Sequence, residues 1–68
     1  SNRLMAFLDP PRTAAECFQP LFKRKIAEGE YSLALNEATG HLNHLYRTGR
    51  ITRQKRAADG AWLWQREG

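Results

Sequence analysis

One segment in the second half of the chain has the clearest pattern, that of a long amphipathic helix ending directly before a strand. Its apolar residues recur every three or four positions and form one stripe, which consists of Leu35, Ala38, Leu42 and Leu45. This spacing places them on a single helix face. Ser32 is a residue type that caps helix starts, and Gly49 is one that ends helices at the C′ position. The sequence therefore predicts a helix between these two signals, with the striped face buried.

A β-hairpin pattern follows this helix. The segment Ile51 to Arg56 is rich in β-compatible residues, Asp59-Gly60 is a turn dipeptide, and Ala61 to Gln65 alternates around two Trp residues. An isolated hairpin is only marginally stable. One face of the hairpin is therefore predicted to pack on the preceding helix.

The start of the chain predicts a short first helix. Asn2 is a suitable cap, and apolar residues recur at helical spacing as far as Leu8, where the helix is expected to end. Pro10 and Pro11 follow directly and cannot continue a helix. The segment near Arg12 can form a third short strand.

A second helix is predicted to start at a capping box. In the run Thr13-Ala14-Ala15-Glu16, the Thr hydroxyl and the Glu carboxylate can each accept a hydrogen bond from a free N–H group. The apolar pattern continues to Ala27, and Gly29 is the predicted stop. Pro20 interrupts this pattern, so we expect either a kink or two short helices that meet at Gln19-Pro20.

These elements define the fold class. Three helices followed by a hairpin form a mainly α fold with a small β-hairpin (α+β), a winged helix with a two- or three-stranded wing. At 68 residues the chain is predicted to be a single domain, 1–68. Its longest apolar run, Leu4 to Leu8, is far shorter than the roughly 18 residues that a membrane span needs, which favours a cytoplasmic protein without a membrane partner.

The chain has a net charge of +4, and its cations are concentrated in two basic segments. Such segments are candidate anion-binding sites, and they can bind nucleic acid weakly and without sequence specificity. The alternative is a solvated surface without a partner. The first segment contains Lys23, Arg24 and Lys25, and the second contains Arg47, Arg50, Arg53, Lys55 and Arg56.

Two tryptophans on the last predicted strand allow two interpretations. Trp62 and Trp64 could stack on nucleic-acid bases beside the basic side chains of the hairpin. Aromatic residues on a terminal strand more often fill a core or an interface between domains. We therefore mark Trp62 and Trp64 as candidate interdomain contacts.

The run from Pro10 to Trp64 resembles the winged-helix domain at the C-terminal end of metallo-β-lactamase-fold hydrolases, a group that includes a mitochondrial endoribonuclease. The resemblance rests on PRTAAE, the insert FQPLFKRKIAEGEY, the block ALNEATGHLNHL with Ala34, Leu35, Glu37, His41 and Leu42, then Gly49-Arg50 and DGAWLW. The long segment between Thr13 and Ser32 is the most informative feature, because compact DNA-binding winged helices usually join their second and third helices with less chain.

The resemblance implies an accessory role. Those hydrolases keep their zinc-binding HxHxDH motif in a separate N-terminal domain, and the run His41 to His44 is HxxH instead. We therefore expect no catalytic, metal or cofactor residue in this chain, zinc in the catalytic domain of a parent enzyme, and that domain as the partner in the same chain. The implied function is to pack on the catalytic domain and shape substrate access, as a domain excised from the C-terminal end of a larger hydrolase.

Two other functions stay open. One is a DNA-binding regulator, in which the third helix reads the major groove with Asn36, Thr39, Gly40, Asn43 and Arg47. Glu37 borders that face, and its charge opposes phosphate. The other is a stand-alone protein-interaction domain.

Metal binding and thiol chemistry are disfavoured. Glu37, His41 and His44 lie at i, i+4 and i+7, but structural zinc sites need ligands from two anchored segments. His41 is expected to be partly buried and hydrogen-bonded. Cys17 is the only cysteine, so it cannot form an internal disulfide, and it is interpreted as a small apolar core residue.

Overall fold

The computed structural model describes residues 2–68 as three α-helices, two 3₁₀ turns and an antiparallel hairpin. The α-helices are α1 (Asn2–Phe7), α2 (Phe18–Phe22) and α3 (Tyr31–Arg47), the 3₁₀ turns are Ala15–Cys17 and Glu28–Glu30, and the strands are β1 (Ile51–Lys55) and β2 (Trp62–Arg66). The predicted α+β arrangement of three helices and a hairpin is confirmed, and it is consistent with a winged helix. No helix within residues 2–68 is long and apolar enough to cross a membrane.

The buried face of α3 agrees with the predicted stripe at three of four positions. Its buried residues are Ala34, Ala38, Leu42 and Leu45. Ala34 replaces the predicted Leu35, which is half-buried. Leu35 lies at the edge of the stripe because it faces a groove beside the hairpin, where it packs less completely.

The C-terminus of α3 forms the predicted glycine cap. Gly49 has φ of 79°, a conformation that glycine adopts without steric cost. The N–H of Gly49 donates to the carbonyl of Tyr46 at 3.0 Å, and the N–H of Arg50 donates to the carbonyl of Leu45 at 3.0 Å. These two bonds form a Schellman motif, which leads the chain into β1.

The N-terminus of α3 differs from the prediction, because Ser32 lies inside the helix. The preceding 3₁₀ turn already has helical geometry and continues into α3, so Ser32 is not in a capping position. The carboxylate of Glu30 accepts a hydrogen bond from the N–H of Ala27 at 3.1 Å. One half of a capping box therefore stabilises this start.

The capping box at Thr13 is confirmed, but the helix that follows is shorter than predicted. The N–H of Thr13 donates to Oε1 of Glu16 at 2.8 Å, and the N–H of Glu16 donates to Oγ1 of Thr13 at 3.2 Å. A 3₁₀ turn follows and becomes α2 at Phe18. Two short helical elements do meet as predicted, but at Cys17-Phe18 and not at Gln19-Pro20, and Pro20 lies in the first turn of α2, where a missing N–H is tolerated.

The end of α2 contradicts the predicted extension to Ala27. The helix stops at Phe22 because Lys23 is left-handed, with φ of 59°. The following loop is closed by an ion pair between Arg24 and Glu30. Gly29, the predicted stop, lies inside the second 3₁₀ turn instead.

The first helix ends at Phe7, and the N–H of Leu8 still donates to the carbonyl of Leu4 at 3.0 Å. Its predicted end near Leu8 is therefore confirmed. The predicted capping role of the Asn2 side chain lies outside the described part of the structure.

One core connects the first helix, α3 and the hairpin. Its buried members are Leu4, Leu8, Cys17, Leu42, Leu45, Ile51 and Trp64. Cys17 is fully buried, as expected of a core residue. Burial raises the pKa of the Cys17 thiol to about 11, and the nearby Glu16 carboxylate adds to this effect.

Backbone hydrogen bonds join the hairpin to the first half of the chain at two places, and at one of them the N–H of Arg66 donates to the carbonyl of Leu8 at 2.9 Å. Arg12 and Trp64 exchange two backbone hydrogen bonds, of 2.9 and 2.7 Å. The third strand expected near Arg12 is thus present as this one bridge. It fixes the position of β2 over the core.

Candidate interaction surface

The hairpin register decides which side chains face α3. Arg53 is paired with Trp64, and Lys55 is paired with Trp62. Directly paired residues in an antiparallel ladder lie on the same face. Arg53, Lys55 and Trp62 therefore lie on the same face of the hairpin as Trp64. This is the face towards the core, because Trp64 is buried there.

Arg53 contacts aromatic rings from two elements. Its guanidinium carbon lies 4.4 Å from the ring centroid of Tyr46, 4.5 Å from that of Trp62 and 5.5 Å from that of Trp64. Its Nη1 donates a hydrogen bond to Oδ1 of Asn43 at 3.2 Å. We call Asn43, Tyr46, Arg53 and Trp62 the stacked-arginine cluster.

This cluster is accessible at its aromatic side chains. Trp62 is 41% exposed and Tyr46 is 40% exposed, whereas Trp64 is only 2% exposed. The amine of Lys55 lies 5.2 Å from the centroid of Trp62. The cluster therefore combines positive charge with exposed ring surface.

An open groove lies beside Trp62. Its volume is about 360 Å³, and we call it the wing groove. The residues that line it come from the first 3₁₀ turn, α3 and the hairpin: Thr13, Ala14, Ala15, Tyr31, Leu35, Thr39, Ala61, Trp62 and Trp64. Most of these side chains are apolar, so the groove is suited to an apolar side chain of a partner.

The predicted pair of interdomain tryptophans is reduced to one. Trp64 is buried in the core and contacts Tyr46 edge-on at 6.4 Å between ring centroids. Its side chain therefore offers a partner almost no surface. Trp62 keeps its candidate role, because its side chain lies at the surface.

The eight candidate anion-binding residues are not equivalent. Arg24 makes two hydrogen bonds to the carboxylate of Glu30, at 3.0 and 2.9 Å, and Arg56 makes two to Asp59, at 3.0 and 2.8 Å. Arg53 belongs to the stacked-arginine cluster. The other members are exposed and make no ion pair within residues 2–68: Lys23, Lys25, Arg47, Arg50 and Lys55.

The proposed DNA-reading face is partly engaged within the domain. Asn36, Gly40 and Arg47 are exposed, while Thr39 lines the wing groove. Asn43 accepts its hydrogen bond from Arg53. A base edge would therefore have to compete with an existing intramolecular partner at Asn43.

The histidines of α3 do not form a metal centre with their neighbours. No group of three or more His, Cys, Asp or Glu residues within 2–68 is placed to hold a metal ion. His41 is exposed, contrary to the expectation that it is partly buried. Some desolvation of its ring and the nearby His44 lower the pKa of His41.

Sequence reasoning missed Tyr46 and Asn43 as partners of Arg53. Tyr46 follows Asn43 by three residues, so the two are neighbours on one helix face. Their link to Arg53 depends on the register of a hairpin with a six-residue loop. That register was needed to place Arg53 and Trp62 on the face towards α3.

The helical core closed by a hairpin, with a cation–aromatic surface at their junction, is consistent with a winged-helix domain. The sequence matches the family described as the metallo-beta-lactamase-like, C-terminal domain over residues 2–67. The chain therefore belongs to that family. No curated protein and no solved structure matches the sequence.

Proposed function

We propose that this chain is a noncatalytic accessory domain of a metallo-β-lactamase superfamily hydrolase, which packs on the catalytic domain and shapes substrate access. The observation that carries this proposal is the family match over residues 2–67. A C-terminal domain of that family implies a catalytic domain in the same protein. That catalytic domain, with its expected zinc, supplies the hydrolytic chemistry.

The surface of the domain supports a packing role. Trp62 is exposed and lines the apolar wing groove, and the exposed ring of Tyr46 contacts the same Arg53 guanidinium as Trp62 does. Large apolar side chains next to a groove are typical of contact surfaces between proteins or domains. The hairpin holds this surface rigidly, because Trp64 anchors β2 in the core.

The exposed cations support a role in substrate access. Arg47 and Arg50 make no ion pair within the described residues. Such charges raise the local concentration of an anionic substrate, an effect that weakens as added salt screens them. We therefore propose that the parent enzyme acts on an anionic substrate and that this domain assists its arrival.

The test is steady-state kinetics of the full-length hydrolase with and without residues 2–67. Deletion should lower kcat/KM, with a smaller effect at high salt, while the zinc content of the catalytic domain stays the same. The separately expressed domain should hydrolyse none of the substrates. Unchanged kinetics after deletion, or zinc-dependent turnover by the domain alone, would contradict the proposal.

A further inference from the structure

We infer that the stacked-arginine cluster and the wing groove form one docking surface for the catalytic domain, and that Arg53 binds a carboxylate group of that domain. This inference rests on the proposed function, since it names the surface and the chemistry of the contact. Its partner is an acidic side chain on the catalytic domain, next to an apolar residue that enters the groove.

The guanidinium of Arg53 has unused hydrogen-bonding capacity. Only Nη1 has a partner within residues 2–68, the amide oxygen of Asn43. The N–H groups of Nε and Nη2 have none in this part of the chain. Contacts with the rings of Tyr46 and Trp62 shield part of the guanidinium from water and restrict its position. Binding would therefore lose less side-chain entropy than binding by a free surface arginine.

A carboxylate fits these free donors. Arginine presents its N–H groups as a planar fork that matches the two oxygens of a carboxylate. Within residues 2–68, the ion pairs are formed by Arg24 and Arg56. No carboxylate in this part of the chain lies at ion-pair distance from Arg53. Lys55 adds positive charge beside Trp62. An acidic partner surface is complementary to this arrangement.

The opposite flank of α3 lacks these features. Leu33 is 68% exposed there and lines a small pocket of about 100 Å³ with Arg24, Glu30 and Glu37. Arg24 is already paired with Glu30 in two hydrogen bonds. This flank offers an apolar side chain, but the arginine that lines its pocket is already paired. It therefore serves as the internal control surface.

The first measurement is hydroxyl-radical footprinting of the full-length protein, with side-chain oxidation quantified by mass spectrometry. Trp62 and Tyr46 should be oxidised several-fold more slowly than their intrinsic reactivities predict for exposed rings. Leu33 should react at the rate of an exposed side chain. Rapid oxidation of Trp62 and Tyr46 would show that this surface is not covered and would overturn the inference.

The second measurement is carbodiimide cross-linking, which joins a lysine amine to a carboxylate that lies in contact with it. In the full-length protein, Lys55 should become linked to an acidic residue of the catalytic domain, while Lys25 should not. Arg53→Gln should reduce the Lys55 cross-link several-fold, and the matched variant Arg50→Gln should leave it unchanged. A purely local role of Arg53 in supporting the rings would leave the cross-link intact in Arg53→Gln, and this result would overturn the inference.

These measurements separate the inference from the proposed function. If Leu33 is protected, Trp62 is not, and deletion still lowers kcat/KM, the domain docks through another face and only the inference fails. If no surface is protected and deletion leaves the kinetics unchanged, the proposed function fails as well.

Discussion

The two basic segments of this chain contain the same residue types but present them differently. In the first, Lys23 to Lys25 lie on a loop after α2, and the central Arg24 is neutralised by Glu30. In the second, Arg53 is held against the rings of Tyr46 and Trp62 without a carboxylate partner. The same residue type therefore does not have the same availability for a partner in the two segments. What distinguishes Arg53 is the packed surface beneath it.

The largest effect should follow from removing that packed support. Leu42 is fully buried in the core that also holds Trp64. Leu42→Ala should lower the free energy of unfolding by about 2–5 kcal/mol, because it leaves a cavity. The measurement is urea or thermal unfolding followed by circular dichroism.

Asn43→Ala is the matched control on the next residue of α3. It removes one hydrogen-bond partner of Arg53 at a half-buried position, so the loss should be only about 0.5–1.5 kcal/mol. Similar losses in the two variants would show that the assigned buried face of α3 is wrong.

A second test compares one arginine from each basic segment. Arg53→Ala removes contacts with aromatic rings and should lower the free energy of unfolding by about 1–2 kcal/mol. Arg24→Ala removes a solvent-exposed ion pair and should have a smaller effect that disappears at high salt. Urea unfolding at low and high salt measures both. An equal, salt-sensitive loss in the two variants would mean that Arg53 acts only through its charge.

A third test concerns the strained backbone of the first segment. Lys23 has positive φ, a conformation that disfavours side chains but suits glycine, so Lys23→Gly should raise the free energy of unfolding by about 0.5–1 kcal/mol. Lys25→Gly is the matched control, and it should give no gain because Lys25 has no positive φ. A gain in both variants would point to a general effect of removing charge.

The smallest effects should be changes in stability at acidic pH, where the ion pairs of the two segments should behave alike. Hydrogen bonds from Arg24 lower the pKa of Glu30 to about 2, and those from Arg56 lower the pKa of Asp59 to about 2. A lowered pKa stabilises the folded state above the ordinary carboxylate value, and this contribution is lost as the pH falls towards 2.

Glu30→Gln and Asp59→Asn should each weaken the acid dependence of the melting temperature between about pH 4.5 and pH 2. Each variant should also reduce stability slightly at neutral pH, because the paired charge is absent. The two changes should be similar in size, since both ion pairs are exposed. An unaltered acid profile in either variant would contradict its ion pair.

Features encoded within a few residues were predictable from the sequence. The Thr13–Glu16 box and the glycine cap at Gly49 each need only residues that are close in the chain. The start of α3 was not predictable in this way, because Ala27 contributes only its backbone N–H and has no capping side chain. The left-handed Lys23 was also missed, since a lysine gives no local signal for positive φ.

The functional surface was predictable only in part. Trp62 and Arg53 were recognised as candidates by residue type. That Trp62 is exposed while Trp64 is buried depends on how the hairpin packs on the core. The contacts of Arg53 with Asn43 and Tyr46 join residues from the helix and the hairpin. Such contacts follow from tertiary packing, which has no counterpart in residue spacing.

The bridge between Arg12 and Trp64 also bears on how the domain folds during synthesis. It joins a residue near the start of the chain to one in the last strand, and a contact of such long sequence separation forms only after the intervening chain is available. On the ribosome, α1 and α3 would therefore emerge with an incomplete core until Trp64 has left the exit tunnel. The apolar faces of the nascent helices would stay uncovered for that interval, which favours protection by a chaperone or by an already folded preceding domain.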